Sequence, residues 1–270
     1  MSKTKTVEFQ IKKNIGIIIL KNEKKLNAWD YDMRSTIIKI FKKQKNNKKI
    51  KALVITGSGT KAFCSGQDLH EMSKFTYKDV IKWINQFKIL YSCIRSFEKP
   101  IVGAINGVAA GSGFQLALLT DIRISHKNAK FGQVEINSGV VSIIGPWIIE
   151  KVLGFSNCVE LCLTGKLISG DEAKNKGIIH HFTNKKDVLK KSIKIARDLS
   201  LKPTNAMTLT KRRLWQQQFP FIISFSSFTV TIFLFSCFTF HCYHPSPHTH
   251  TGSPSRSSPH TSPTLRSAPR

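Results

Sequence analysis

The sequence predicts an α/β domain with crossover connections over residues 1–215 of the 270-residue chain. Three observations point to it. Short apolar runs alternate with stretches of helical periodicity, which is the pattern of strands joined by helices. Glycine-rich turns stand between them. All 16 acidic residues precede Gln216, beyond which the chain contains no Lys, Asp or Glu. That change in composition marks the end of the domain.

Val7 to Lys12 and Ile15 to Leu20 read as two strands around a turn at Asn14. Asp30 to about Gln44 is predicted as a helix, with Met33, Ile37, Ile40 and Phe41 on one face. Ala52 to Thr56 is a buried strand followed by the turn Gly57-Ser58-Gly59-Thr60. Tyr77 to Ser96 is a second amphipathic helix, with Val80, Ile84, Phe87 and Tyr91 at helical spacing. Pro100 opens a buried strand over Ile101 to Ile105. Ser112 to Leu119 is a short helix and Ile122 to Ser125 a further strand. Helices are expected at about 144–153, 156–163 and 171–176. Ser169 and Glu172 give the last of these a capping-box pattern. Gly177 ends it, and Ile178 to Phe182 reads as a strand.

Apolar residues make up 41% of the chain, enough for a packed core. The net charge of +26 raises nucleic-acid binding as one reading. The lysines are scattered and no basic motif is interleaved with aromatics, so a lysine- and asparagine-rich coding bias is the better account. The six cysteines, Cys64, Cys93, Cys158, Cys162, Cys237 and Cys242, show neither a disulfide framework nor zinc-ligand spacing. A reducing compartment is expected. The N-terminus, MSKTKTVEFQ, lacks the apolar stretch of a signal peptide. The expected location is the cytoplasm, or an organelle reached by a signal not visible in the sequence.

Beyond residue 215, Phe221 to Phe240 is an uncharged, largely apolar run, and a bilayer span takes about 20 such residues. His241 to Arg270 is rich in His, Pro, Ser and Thr and is expected to be disordered. Three accounts of this tail remain open. It is coding sequence foreign to the domain, from a frameshift or retained intron. It is a membrane anchor with Lys211, Arg212 and Arg213 on the cytoplasmic side. Or it is an irregular soluble extension. The first is favoured. His241, Cys242 and His244 have too little around them to form a metal site, and no metal is expected.

Three segments carry candidate chemistry. In Ala62-Phe63-Cys64-Ser65-Gly66-Gln67-Asp68-Leu69, a glycine after a strand and turn lets main-chain N–H groups face open space. In Asn106-Gly107-Val108-Ala109-Ala110-Gly111-Ser112-Gly113-Phe114, small residues lead from a buried strand into a helix start. Helix starts hold unpaired N–H donors and a partial positive charge, so this loop suits an anion or a developing oxyanion. It has neither the Gly-Lys-Ser/Thr ending of a Walker loop nor the acidic partner of a dinucleotide site. In Ala129-Lys130-Phe131-Gly132-Gln133-Val134-Glu135-Ile136, a carboxylate sits among apolar residues, where its pKa rises and it can act as acid or base. Taken alone, the first segment is more simply a plain turn and the third a surface glutamate, while the second is equally well close helix–strand packing.

Together and in this order, the three segments resemble the enoyl-CoA hydratase/isomerase (crotonase) family, from about Val7 to Leu214. Asn22 to Ala28 is similar to the family's early CoA-contacting loop, and Lys99 to Gly107 to its central strand. Leu163 to Ala173 and Gly177 to Ile179 match its later helix and strand. The resemblance implies a spiral of ββα units with helices outside. It implies trimers or paired trimers and an acyl-CoA substrate whose coenzyme A is no separate cofactor. It also implies two main-chain N–H donors to the thioester carbonyl, at Gln67 and Ser112. Lys25, Leu26, Ala28, Asp68, Leu69, His70 and Gly111 would complete the substrate contacts, with Gln67 to His70 along the pantetheine path. The basic field would attract that polyphosphate.

Two departures from the family pattern bear on activity. Family hydratases use two glutamates; one matches Glu135, but the other matches Gln115, an amide that cannot take a proton from water at neutral pH. This leans toward double-bond isomerisation by one carboxylate. The family's C-terminal helices also stop short: only their start, around Met207 to Leu214, precedes the tail. The leading expectation is therefore an enolate-forming enoyl-CoA enzyme, as in fatty-acid β-oxidation. The alternative is a non-catalytic acyl-CoA-binding or partner-binding module. The first predicts loss of turnover with retained CoA binding in Glu135→Gln; the second predicts binding with no turnover at all.

Overall fold

In the computed structural model, residues 6–218 are described. The expectations for Phe221 to Phe240, for His241 to Arg270 and for Cys237 and Cys242 lie outside them. The chain starts with β1 (Val7–Lys12) and β2 (Ile15–Leu20), an antiparallel hairpin. Then follow α1 (Tyr31–Lys45), β3 (Ala52–Gly57), β4 (Ala62–Cys64), α2 (Leu69–Met72) and α3 (Tyr77–Arg95). β5 (Ile101–Ala104), β6 (Val108–Ala110) and α4 (Ser112–Leu118) form the next unit. β7 (Ile122–Ser125), β8 (Lys130–Gly132) and α5 (Ile144–Leu153) repeat it. α6 (Phe155–Thr164), β9 (Ile168–Ser169), α7 (Gly170–Asn175), β10 (His181–Phe182), α8 (Val188–Ser200) and α9 (Thr204–Gln218) complete it.

The first strand of each unit joins one sheet and the second joins another. The larger sheet runs β1-β2-β3-β5-β7-β10, parallel beyond the opening hairpin. The smaller runs β4-β6-β8-β9, parallel except for β9. The result is the expected spiral of ββα units.

Period-2 alternation splits each central strand between two cores. Leu53 and Ile55 of β3 face the main core with Phe41, Phe87 and Phe97. Ala52 and Val54 face the other way, beneath α8, with Ile17 of β2 and Val102 of β5. Both faces being covered, β3 is buried at every position, as a parallel strand under helices should be. On α3 the expected face, Val80, Ile84, Phe87 and Tyr91, is buried. On α1, Met33, Ile37 and Phe41 are buried, Ile40 only partly, and Arg34 is fully enclosed.

Two expectations need correction. The strand read over Ile178 to Phe182 pairs only at His181–Phe182; Ile178 instead ties back to α7 through its N–H to Ala173 O, 2.8 Å. The capping box at Ser169 is half formed. Its hydroxyl accepts the Glu172 N–H at 3.1 Å, but the Glu172 carboxylate pairs with Lys166. α8 was not foreseen. α9 runs through Gln216 to Gln218. α9 docks where Lys211 Nζ, buried, donates to Asp121 Oδ2 and to Lys99 O, each at 2.7 Å. Among the described residues, no helix is long and apolar enough to cross a membrane.

Candidate active site

A cleft of about 380 Å³ opens where the β4–α2 turn, the start of α4 and the segment after β8 converge. Lys25, Ala28, Gln67, Asp68, Leu69, His70, Gly111, Ser112, Gln115 and Glu135 all line it. Leu26 does not: it is 40% exposed, and its carbonyl accepts the Ser65 N–H at 3.0 Å, steadying the loop from behind. The remaining wall is apolar, with Met72, Trp83, Ile84 and Phe87 on one side and Val140, Val141, Ile143 and Ile144 on the other. The sequence marked none of these wall residues for the site; Ile84 and Phe87 stood out only as part of the apolar face of α3.

Gly66 makes the first corner of the site. Its φ is +101°, which L-residues avoid, and a Cβ there would lie 2.8 Å from Ala110 O and 3.3 Å from Ser112 N. The turn therefore lies directly against the start of α4. Trp29 bridges this turn in parallel fashion, donating to Gly66 O at 2.9 Å and accepting from the Asp68 N–H at 3.2 Å. The Gln67 N–H is left over. Ser112 is the first residue of α4, so its N–H has no helical acceptor either. Among the described residues neither N–H has a partner.

Gln67 contributes more than a main-chain group. Its Oε1 accepts from Arg34 Nη1 at 2.6 Å and from Trp83 Nε1 at 2.8 Å, and its Nε2 donates to Glu71 Oε2 at 2.6 Å. These bonds tie the turn to α1, α2 and α3. Arg34 is the centre of this group. It donates to Gln86 Oε1, to Trp29 O and to Glu71, and lies over the Phe87 ring at 5.0 Å. Burial pulls its pKa down, and Glu71 opposes that shift.

At the turn's outer side, Lys25 Nζ pairs with Asp68 Oδ2 at 2.5 Å, while Asp68 Oδ1 caps α2 by accepting from the His70 and Glu71 N–H groups. Burial works to raise the Asp68 carboxyl, but Lys25 and the cap bonds bring it below the usual range. Cys64, at the same turn, is buried and its thiol is pushed up to about 12. That keeps it protonated and inert as a nucleophile.

Glu135 lies on the other side of Ser112. A Cβ on Gly111 (φ +53°) would meet its carboxylate oxygen Oε1 at 3.3 Å. Oε1 accepts from Gln133 Nε2 at 2.7 Å and from Gln115 Nε2 at 3.2 Å. Oε2 is enclosed and, among the described residues, has no hydrogen-bond partner. Although the residue as a whole is partly exposed, its carboxyl is buried, and burial raises its pKa to about 7. Gln115 is fixed from behind by the Tyr91 hydroxyl, which donates to its Oε1 at 2.8 Å. Gln133, which the sequence reading passed over, is held in turn by Ser142 Oγ at 2.5 Å. The only hint of it was a polar residue two before Glu135. Among the described residues no group of three or more His, Cys, Asp or Glu could hold a metal.

The sequence profile described as enoyl-CoA hydratase/isomerase matches residues 10–220. A protein of Dictyostelium discoideum described as a probable mitochondrial enoyl-CoA hydratase is 32% identical over 190 residues, 70% of this chain and 68% of that one. The 1,2-epoxyphenylacetyl-CoA isomerase of Escherichia coli is 28% identical over 209 residues, 76% of this chain and 79% of that one. Among solved structures, an enoyl-CoA hydratase/isomerase from Mycobacterium paratuberculosis superposes with a TM-score of 0.80 at 23% identity, covering 88% of this chain and 95% of that one.

Proposed function

This chain belongs to the enoyl-CoA hydratase/isomerase family and is an enzyme of acyl-CoA thioesters, and on that footing we propose that it moves the double bond of a 3-enoyl-CoA with Glu135 as the sole proton carrier. The observation that carries this reading is the carboxylate seated on Gly111, one residue before the unpaired Ser112 N–H. The Gln67 and Ser112 N–H groups would accept the thioester oxygen between them. Ionised Glu135 would take a proton from C2, and the electron pair would delocalise over C4, C3, C2 and the carbonyl as a dienolate. The same carboxyl would return the proton at C4, leaving 2-enoyl-CoA. Two N–H donors suit the oxyanion of that dienolate, and losing one typically costs about 3 kcal/mol of barrier stabilisation.

A pKa of about 7 suits a group that must be base in one half-reaction and acid in the next. Oε2, without a hydrogen bond, is the oxygen left to carry the proton. Gln115 argues against efficient hydration. At 3.2 Å from Glu135 Oε1 it leaves no space for a water between them, and its amide accepts no proton. Lys25, Asp68, Leu69 and His70 at the cleft mouth would carry the pantetheine arm. The retained, pKa-raised carboxylate favours catalysis over a passive binding module. Residues 1–215 as the working domain, and a trimer or hexamer, remain parts of the same proposal.

Parallel assays with 3-enoyl-CoA and 2-enoyl-CoA test the reading. Isomerisation is expected to exceed hydration by at least about 10²-fold, the worth of the missing second base. Hydration at a comparable kcat/KM would refute it. Gln115→Glu should then raise hydration relative to isomerisation.

A further inference from the structure

We propose that Trp29 is a positioning residue that sets the spacing of the two main-chain N–H donors. The inference rests on the assignment of the Gln67 and Ser112 amides as oxyanion donors. Trp29 is wholly buried and touches the supports of both. Its main chain forms the parallel bridge to Gln67. In such a bridge one residue bonds the groups on either side of its partner, and the partner's own N–H points away. Trp29 N–H takes Gly66 O and Trp29 O takes the Asp68 N–H, so the bridge turns the Gln67 N–H toward the far side.

The Trp29 side chain reaches the other donor. Its indole Nε1 donates to Ser112 Oγ at 2.9 Å, a wholly enclosed contact across 83 positions of sequence. The ring is itself held edge-on by Phe87 at 5.7 Å, and the Trp29 carbonyl also accepts from Arg34 Nη1 at 3.0 Å. The α4 start and the β4–α2 turn come from different strands of the small sheet, and this one residue ties them, the turn by its main chain and the helix start by its side chain. A rigid residue bonded to both fixes their separation in a way neither loop does alone. An error of about 1 Å in such a pair costs on the order of 10²-fold in rate.

Trp29→Phe keeps the bridge and the ring packing but removes the indole donor; Ser112→Ala removes the acceptor and keeps the Ser112 N–H. Both are expected to lower kcat on 3-enoyl-CoA by about 10- to 100-fold with KM changed less than about threefold. The double variant should lose no more than either single one, as two ends of one contact do. The carbonyl stretch of bound acyl-CoA supplies a readout that a merely structural role leaves unmoved. Polarisation between the two N–H groups lowers that frequency in the wild type, and both variants should shift it back toward the free value.

Wild-type kcat and stretch in the two single variants would overturn the proposal, as would fully additive losses. Should Trp29→Phe fail to fold, Ser112→Ala reports the same contact. A wild-type carbonyl frequency equal to that of free thioester would instead sink the oxyanion assignment itself, which separates the two failures.

Discussion

Replacing Glu135 by Gln should make the protein more stable while abolishing its turnover. The carboxyl has a pKa of about 7 when folded against 4.5 when solvated, because folding buries it. A group whose pKa is raised by folding holds its proton in the native state over the interval in which the unfolded chain has lost it. Its contribution to stability therefore falls as pH rises from about 4.5 through 7. At 1.36 kcal/mol per pH unit, the full penalty is about 3 kcal/mol above pH 8 and under about 1 kcal/mol at pH 5. The Gln variant keeps the acceptor for Gln115 and Gln133 and never ionises. Urea unfolding of both proteins between pH 5 and 8.5 should show a difference growing by about 2–3 kcal/mol toward alkaline pH. His126 and His180 also titrate with lowered pKa values, but they are common to both proteins and cancel in the difference. CoA binding should persist, and turnover should fall at least about 10²-fold. A difference independent of pH would refute the burial argument; retained turnover would refute the role of the carboxyl.

The rate follows the same group with the opposite sense. Because ionised Glu135 starts the reaction, kcat/KM should rise about tenfold per unit below pH 7 and level off above it; a flat profile from pH 5 to 8 would contradict the assignment. Gln67→Ala preserves the main-chain N–H but removes the acceptor shared by Arg34 and Trp83, so unfolding should become easier by about 1–3 kcal/mol, and wild-type stability in urea would show that side chain to be dispensable. Gly66→Ala would place a methyl 2.8 Å from Ala110 O at a φ of +101°. The turn must move, and activity should vanish with at least about 1–3 kcal/mol of stability; normal kinetics in this variant would mean the turn is not where the oxyanion forms.

The sequence revealed the large sheet well for a physical reason. β2, β3 and β5 are covered on both faces, so they read as continuous apolar runs. The small sheet escaped notice because β4, β6, β8 and β9 have two or three residues each, too few for any period to show. α8 was missed although its stripe was there to read: Val188, Leu189, Ile193, Ala196 and Leu199 recur at helical spacing and pack against the second core. Within the site, Gly66, Gly111 and Glu135 were legible, since a main chain that must approach closely requires glycine and a carboxylate among apolar residues is unusual. Arg34 and Trp29 were not. Their roles depend on Gln67, Glu71, Gln86 and Ser112, which only the folded chain brings to them.

Gln115 gains a further meaning from its distance to Glu135. Two carboxylates 3.2 Å apart could not both ionise. A second glutamate at this spacing would either share one proton with Glu135 or force the gap open for a water. The amide avoids that conflict: it accepts from Tyr91, donates to Oε1 and adds no charge. Burial is then the chief influence on Glu135, and burial brings it close to neutrality. A single group that must take a proton from one carbon and return it to another works best when neither transfer is strongly uphill. The exchange that deprives water of a base thus leaves the remaining carboxylate tuned for carrying a proton both ways.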